Sequence, residues 1–178
     1  MLEKPILTGE KIYLRPITPA DAGAMFASLG DEESMYLTGT TQSFTLEQVE
    51  AFCERVAHAD DRVDYAICRL GDPQYLGEVV LNEIDWDNHS AHFRTAISSN
   101  ENRNKGYGQE AIKLILDYGF KSLKLHRIEL EVYEFNPRAL HVYEKLGFVK
   151  EGVLRDILYF KERYHNAVKM SLLANEWV

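Results

Sequence analysis

Cysteine is scarce in this chain. Cys53 and Cys68 are the only two in 178 residues, too few for a disulfide framework and without metal-ligand spacing. The expectation is a pair of buried, reduced thiols in a cytoplasmic protein. Long hydrophobic runs are missing as well. No apolar stretch approaches the roughly 18 residues of a membrane span, and Met1-Leu2-Glu3-Lys4 does not open like a signal peptide. Positive charge is in deficit, 20 Lys and Arg against 28 Asp and Glu, for a formal net charge of −8. That disfavours a general nucleic-acid binder, which would show a basic patch, and mildly favours a cationic partner through electrostatic steering, although acidity also serves plain solubility. Several reaction signatures are absent too. The six histidines show no His-x-x-x-His or Cys/His clustering, so no metal is expected. There is no Gly-x-Ser-x-Gly nucleophile elbow and no P-loop.

What is present is a chain with 46% hydrophobic and 27% charged residues, enough for one sizeable core. No repeat, linker or shift of composition divides it, so a single domain over 1–178 is expected. Residues 10–17 alternate and read as a strand. Thr18-Pro19-Ala20-Asp21 and Thr45-x-x-Gln48 read as two capped helix starts. Residues 31–44, polar and irregular, read as a surface loop. Residues 64–70, 75–84 and 91–98 read as three strands with short links, an antiparallel meander. A helix over 108–123 follows, with Ala111, Ile112, Ile115 and Leu116 on one face. Residues 127–133 alternate cleanly and should lie parallel to 91–98 through a right-handed crossover. Asn136 and Pro137 start a short helix that Gly147 ends, and residues 148–154, 156–159 and 167–172 complete a mixed α/β sheet.

The stretch around which this is organised is Arg103-Asn104-Lys105-Gly106-Tyr107-Gly108. A strand, a basic glycine loop and a helix make an anion site. The first-turn amides of the helix lack internal partners, and the helix dipole adds positive charge there. The glycines let a phosphate approach the backbone closely. The same letters fit a dinucleotide fingerprint, Gly106-x-Gly108-x-x-Ala111, with Glu129 or Glu131 placed for a ribose. That fingerprint sits in a tight turn early in a βαβ series, whereas here residues 98–105 form a long polar connection behind a meander.

Arg-x-x-Gly-x-Gly ahead of a helix, followed by Asn136-Pro137-x-Ala139-x-x-x-Tyr143-x-x-x-Gly147-Phe148, resembles the two conserved blocks of the GNAT superfamily of N-acetyltransferases. Within it the chain is most similar to the branch holding ribosomal-protein N-terminal acetyltransferases and spermidine acetyltransferases. The resemblance implies an α/β (α+β) GNAT fold: a mixed central sheet of about seven strands, an antiparallel N-terminal meander, a splayed parallel pair at the cofactor site, and flanking helices. It implies acetyl-CoA as acetyl donor and direct transfer to a primary amine, on a polyamine or a protein N-terminus. The rivals are an acceptor that is an amino sugar or an antibiotic, and a non-catalytic acyl-CoA-binding regulator. A homodimer or larger homo-oligomer is in keeping with the family.

The resemblance also implies roles. The arm of acetyl-CoA would lie along Thr95 to Ser98, hence Ala96, Ile97 and Ser98. Its pyrophosphate would rest on Arg103, Asn104, Lys105, Gly106, Tyr107 and Gly108. Asn136 and Ala139 would meet the arm from the other side. Tyr143 would be the acid that protonates the departing thiolate, a task suited to a phenol that stays protonated at neutral pH. The oxyanion donor would be a backbone N–H near Ile97. Where the branch commonly carries a carboxylate this chain has His92, which is chemically able to act as base, with Glu83, Asp85 and water-mediated deprotonation that needs no dedicated residue as alternatives. Asp31, Glu32 and Glu33 would flank the acceptor cleft and, with Glu83, attract a cationic amine.

Overall fold

The computed structural model describes residues 1–98 and 103–178. One sheet of eight strands runs through it, built from β1 (Leu7–Thr8), β2 (Ile12–Pro16), β3 (Val63–Arg69), β4 (Gly77–Asp85), β5 (Ser90–Ile97), β6 (Arg127–Tyr133), β7 (Val149–Phe160) and β8 (Arg163–Leu173). The order is β1-β2-β3-β4-β5-β6-β8-β7. Every neighbouring pair is antiparallel except β5 and β6. The meander and the parallel pair are as the residue pattern predicts. The strand total exceeds the expected seven because two-residue β1 pairs with β2.

Side chains that alternate along each strand sort into two layers. Ile12, Leu14, Tyr65, Ile67, Val79, Leu81, Phe93, Ile128 and Leu130 face α4 (Tyr107–Asp117) and α5 (Pro137–Lys145) in the larger core. Ile17, Ala66 and Cys68 face α1 (Ala22–Ser28) and α3 (Leu46–His58) in the smaller one. Cys53 and Cys68 are buried and free, and burial pushes the Cys53 thiol up to about 11. Both predicted capping boxes form, at Thr18 with Asp21 and at Thr45 with Gln48. No described helix is long and apolar enough to cross a membrane.

Three local expectations are corrected. Residues 31–44 are not all loop, because Glu32–Thr38 form a helix, α2, with Asp31 accepting from the Ser34 amide as its cap. The helix expected over 108–123 is α-helical only to Asp117, and Tyr118–Ser122 widen into a π turn. There Gly119 lies so close to Leu81 and Ile128 that an added Cβ would sit 3.1 and 3.0 Å from their methyls. The last strands are longer than their patterns, because β7 and β8 form one hairpin that pairs from Val149 with Ser171 to Phe160 with Arg163, interrupted by register shifts after Lys150 and Leu154.

Gly77 fixes the position of the β5 end. Its φ is +155°, and a Cβ there would lie 2.2 Å from the Ala96 carbonyl oxygen and 2.8 Å from the Ile97 Cα. Gly77→Ala must push that backbone away. We expect a loss of about 1–3 kcal/mol, as for overpacking, and a Tm fall of several degrees by calorimetry. A fall under about one degree would show that the end of β5 yields freely.

Candidate active site

The parallel pair is joined at only three rungs, Ser90 with Arg127, Ala91 with Ile128 and His92 with Glu129. Beyond His92 the strands part, while β5 stays paired with β4 as far as Ile97. The result is a gap with a backbone edge on its β5 side. Ser98 donates its amide to the Leu76 carbonyl at 2.8 Å and its hydroxyl to the same oxygen at 2.7 Å. Ladder bonds alternate along an antiparallel strand, so Ala96 also faces β4, and the main-chain groups of Phe93, Thr95 and Ile97 face the gap. The stretch expected to bind the acetyl-CoA arm therefore narrows. Ile97 offers its backbone there, whereas the polar main-chain groups of Ala96 and Ser98 are turned to β4.

The glycine loop stands at the mouth of the gap. Asn104 and Gly106 have φ of +64° and +82°, and Gly106 caps α4. Among the described residues, a Cβ on Gly106 would meet only the Lys11 Nζ, at 3.6 Å, and one on Gly108 only Ile97, at 3.8 Å. Among these residues the helix start is open, and the first-turn amides of α4, which have no partner within the helix, stand behind it. Tyr107 begins α4, and Lys105 is exposed beside it. Arg138 donates to the Asn104 side chain. Residues 99–102 of the expected polar connection lie outside the described residues. Lys11 carries no local signal for this place, because it lies just ahead of β2 and is brought to α4 by Glu110, which accepts from the Glu10 and Lys11 amides.

Arg103 does more than border the loop. Its guanidinium reaches Glu33 at 2.8 Å, Asp31 at 3.2 Å, the Ser34 hydroxyl at 2.6 Å and the Ile97 carbonyl at 3.4 Å. Asp31 is held below the usual carboxylate range by bonds from the Ser34 hydroxyl and amide and by Arg103. Two of the three acids expected to attract an amine therefore already serve Arg103, and only Glu32 stays exposed without an ion pair among the described residues. Their arrangement ties α2 to the glycine loop.

At the apex of the gap, His92 Nε2 lies 2.8 Å from Glu129 and 3.6 Å from Glu83. Glu83 reaches it through a bulge between Asn82 and Asp85, where Glu83 has a φ of +51°. Glu129 in turn accepts from Lys169 at 2.9 Å and from Arg127. Burial works to raise its pKa, but those bonds and His92 outweigh it and hold the carboxylate charged. Asp85 is not part of this group, because its carboxylate caps the following turn through the Asp87 and Asn88 amides at 3.0 and 2.9 Å. Spacing along the chain does not bring Glu129 here. Alternation put it on the polar face of β6, but only the register of two strands far apart in the chain sets it opposite His92. Among the described residues no group of acids, cysteines and histidines is disposed to hold a metal ion.

Successive strand residues point to opposite faces, so Phe93 lies on the face away from His92. Tyr143 packs against it, with ring centroids 6.0 Å apart, and against Phe148 at 5.7 Å. Burial pushes the Tyr143 phenol up to about 12, which keeps it a proton donor. Asn136 accepts from the Ala139 amide at 3.1 Å and so caps α5, fixing the helix that carries Tyr143. His92 and Tyr143 thus belong to opposite faces of the sheet, where β5 borders the gap.

Comparison with known proteins agrees with this geometry. The family described as acetyltransferase (GNAT) domain matches residues 11–149. The spermidine N(1)-acetyltransferase of Vibrio cholerae is 38% identical over 103 residues, 58% of this chain and 59% of that one, so the match spans less than two thirds of that relative. The enzyme of the same name from Escherichia coli K12 is 34% identical over 136 residues, 74% and 73% of the two chains. The crystal structure of spermidine N-acetyltransferase from Vibrio cholerae with CoA and spermine superposes with a TM-score of 0.86 at 27% identity, covering 93% of this chain and 96% of that one. A dodecameric structure of that enzyme, described as an intermediate state, gives 0.79 at 26%, covering 92% and 94%. The helix start, the β5 edge that faces the gap and the buried phenol of Tyr143 on α5 suit acetyl-CoA, and the chain belongs to the acetyltransferase (GNAT) family, as an acetyl-CoA-dependent N-acetyltransferase.

Proposed function

We propose that this protein acetylates a primary amine of a polyamine. The observation that carries the reading is the pairing of His92 with two carboxylates, Glu129 and Glu83, at the apex of the gap. An amine must lose a proton to attack. The tautomer of His92 that donates Nε2–H to Glu129 leaves its other ring nitrogen as the proton acceptor. Glu129 acts through His92, as a positioning residue. Acetyl-CoA supplies the acetyl group as a thioester. The Thr95 and Ile97 amides face the oxyanion as it develops, and Tyr143 gives its proton to the departing sulfur. Arg103, Asn104, Lys105, Gly106, Tyr107 and Gly108 form the phosphate cradle, with Lys11 added, and Asn136 and Ala139 border the arm.

The substrate class has two supports: the spermidine acetyltransferases among the relatives and the net charge of −8. Glu83 and exposed Glu32 are the acids available to draw in a cation. We place the protein in the cytoplasm, in keeping with its two buried free thiols, as one domain over 1–178. We expect a homo-oligomer, in keeping with the dodecameric relative and with exposed Val149, Val153, Ile157 and Tyr159 along edge strand β7.

Thiol release from acetyl-CoA, followed with a panel of amines at one pH, tests the reading. Spermidine and spermine should be turned over. Their KM should rise with salt, since exposed charges are screened beyond about 8 Å at physiological ionic strength. Turnover of amino-sugar nucleotides with no turnover of any polyamine would overturn the acceptor class. No thiol release with any amine would favour the binding-only rival.

A further inference from the structure

An aromatic cluster lies beside the gap and has no part in the chemistry above. Tyr36 of α2, Phe135 in the loop after β6 and Phe160 at the end of β7 stand together, with centroids 4.9 Å apart for Tyr36 and Phe135, 5.8 Å for Tyr36 and Phe160, and 6.0 Å for Phe135 and Phe160. All three are half-buried, open to solvent on one side. The protein holds them firmly on the other. Tyr133 stacks on Phe135 at 5.3 Å. Buried His165 meets Phe135 edge-on at 4.9 Å, and its Nε2 lies 3.0 Å from the Phe160 carbonyl.

The open side of the cluster is occupied by a cation from the chain itself. Lys161 Nζ lies 4.6 Å from the Tyr36 centroid and 5.7 Å from that of Phe160. Among the described residues no carboxylate pairs with it. An exposed lysine normally extends into water or meets an acid, whereas this one lies over ring faces, which attract cations through their quadrupoles. Lys161 and Glu162 form the two-residue turn between β7 and β8, with φ of +51° and +62°, where Asn-Gly would be the ordinary choice. The turn presents the lysine side chain to the rings.

We propose that this cluster is the acceptor's cation subsite. A distal ammonium of the polyamine displaces the Lys161 ammonium and rests on Tyr36 and Phe160 while the reacting amine sits at His92. The placement follows from α2. Its first turn holds Arg103 at the cofactor loop, and Gly39, which caps its end, abuts Tyr133 and Leu158, since a Cβ there would fall 2.9 and 2.7 Å from them. A helix of that length spans about 10 Å, so α2 bridges the mouth of the gap and sets the rings on its β6 side. A polyamine must lose one proton to react and keeps its other charges. The rings hold such a charge without a carboxylate, and Lys161 competes for the same place.

This inference rests on the polyamine reading, so binding and turnover are measured separately. Calorimetric titration of spermidine into the CoA-bound protein should show Lys161→Met binding about 3–10-fold more tightly than wild type, the range of a partly desolvated cation–π contact. Tyr36→Leu should bind more weakly, and adding Lys161→Met to it should bring no gain. An equal gain in the Tyr36→Leu background would mean that only bulk charge has changed, and unchanged affinity in Lys161→Met would remove the subsite. Tetramethylammonium, which cannot be acetylated, gives a second readout that does not need the Tyr36 variant to fold. Its methyl proton signal should move upfield with Lys161→Met protein, and a signal that stays put overturns the proposal. Spermidine turnover without these binding changes would sink the subsite and keep the function, and the reverse pattern would sink the function and keep the subsite.

Discussion

Gly106→Val should lower acetyl-CoA affinity by about 100-fold or more, the largest binding loss expected from a single change in this protein. Two effects combine. Gly106 has a φ of +82°, a conformation that a β-branched residue adopts only at a strain of roughly 1–3 kcal/mol. The described residues leave room, since among them a Cβ would meet only the Lys11 Nζ at 3.6 Å, so the branched side chain instead fills the space in front of the α4 amides where a phosphate must come. Gly106→Ala separates the two, because it carries the conformational strain with less bulk and should fall between wild type and valine. Arg103→Ala should weaken acetyl-CoA less, removing one charge and leaving the amides. Because Arg103 also holds Asp31 and Glu33, its loss should loosen α2 and raise the KM for the amine as well. Isothermal titration with acetyl-CoA, on variants shown to be folded, checks this. A valine variant that binds acetyl-CoA like wild type would falsify the anion site.

Tyr143→Phe should reduce kcat by about 10–1,000-fold with acetyl-CoA affinity nearly unchanged, as for the loss of a general acid. Phenylalanine keeps the ring that packs on Phe93 and Phe148, so the change removes the hydroxyl and little else. The pH dependence has a definite sign. Burial pushes the phenol up to about 12, so the proton is present throughout the neutral and mildly alkaline range. No fall in kcat should therefore trace to Tyr143 until pH nears that value. A descending limb near pH 8 that disappears in Tyr143→Phe would show that the phenol ionises early and is not held as described. Wild-type turnover in the phenylalanine variant would reduce Tyr143 to packing.

Much of the site was legible because its signals are local. A cap is made by residues three apart, so Thr45 with Gln48 and Asn136 with Ala139 could be read directly. The glycine loop was legible for the same reason, since a positive φ at a helix start is a property of one residue and its neighbours. The strand β6 announced itself by strict alternation. Helix α2 did not, because it has no fully buried residue and so no apolar stripe to read. Its order comes from Arg103, on the far side of the site, and from the rings that meet Tyr36.

The residues alone determined the meander, the crossover helix with its glycine-led start, and the two blocks that mark the family, because each depends on periodicity or spacing within a short stretch. Tertiary structure decided what handles protons and charge. Whether His92 meets a carboxylate depends on the parallel register that sets it opposite Glu129 and on the bulge that turns Glu83 toward it. Whether Asp31 and Glu33 face an amine or an arginine depends on where Arg103 comes to rest, and whether Lys161 lies over an aromatic face depends on α2 meeting the β7–β8 turn. Electrostatic and ring contacts act over a few ångströms in space, between residues that the chain separates by dozens of positions, and only packing brings them within that range.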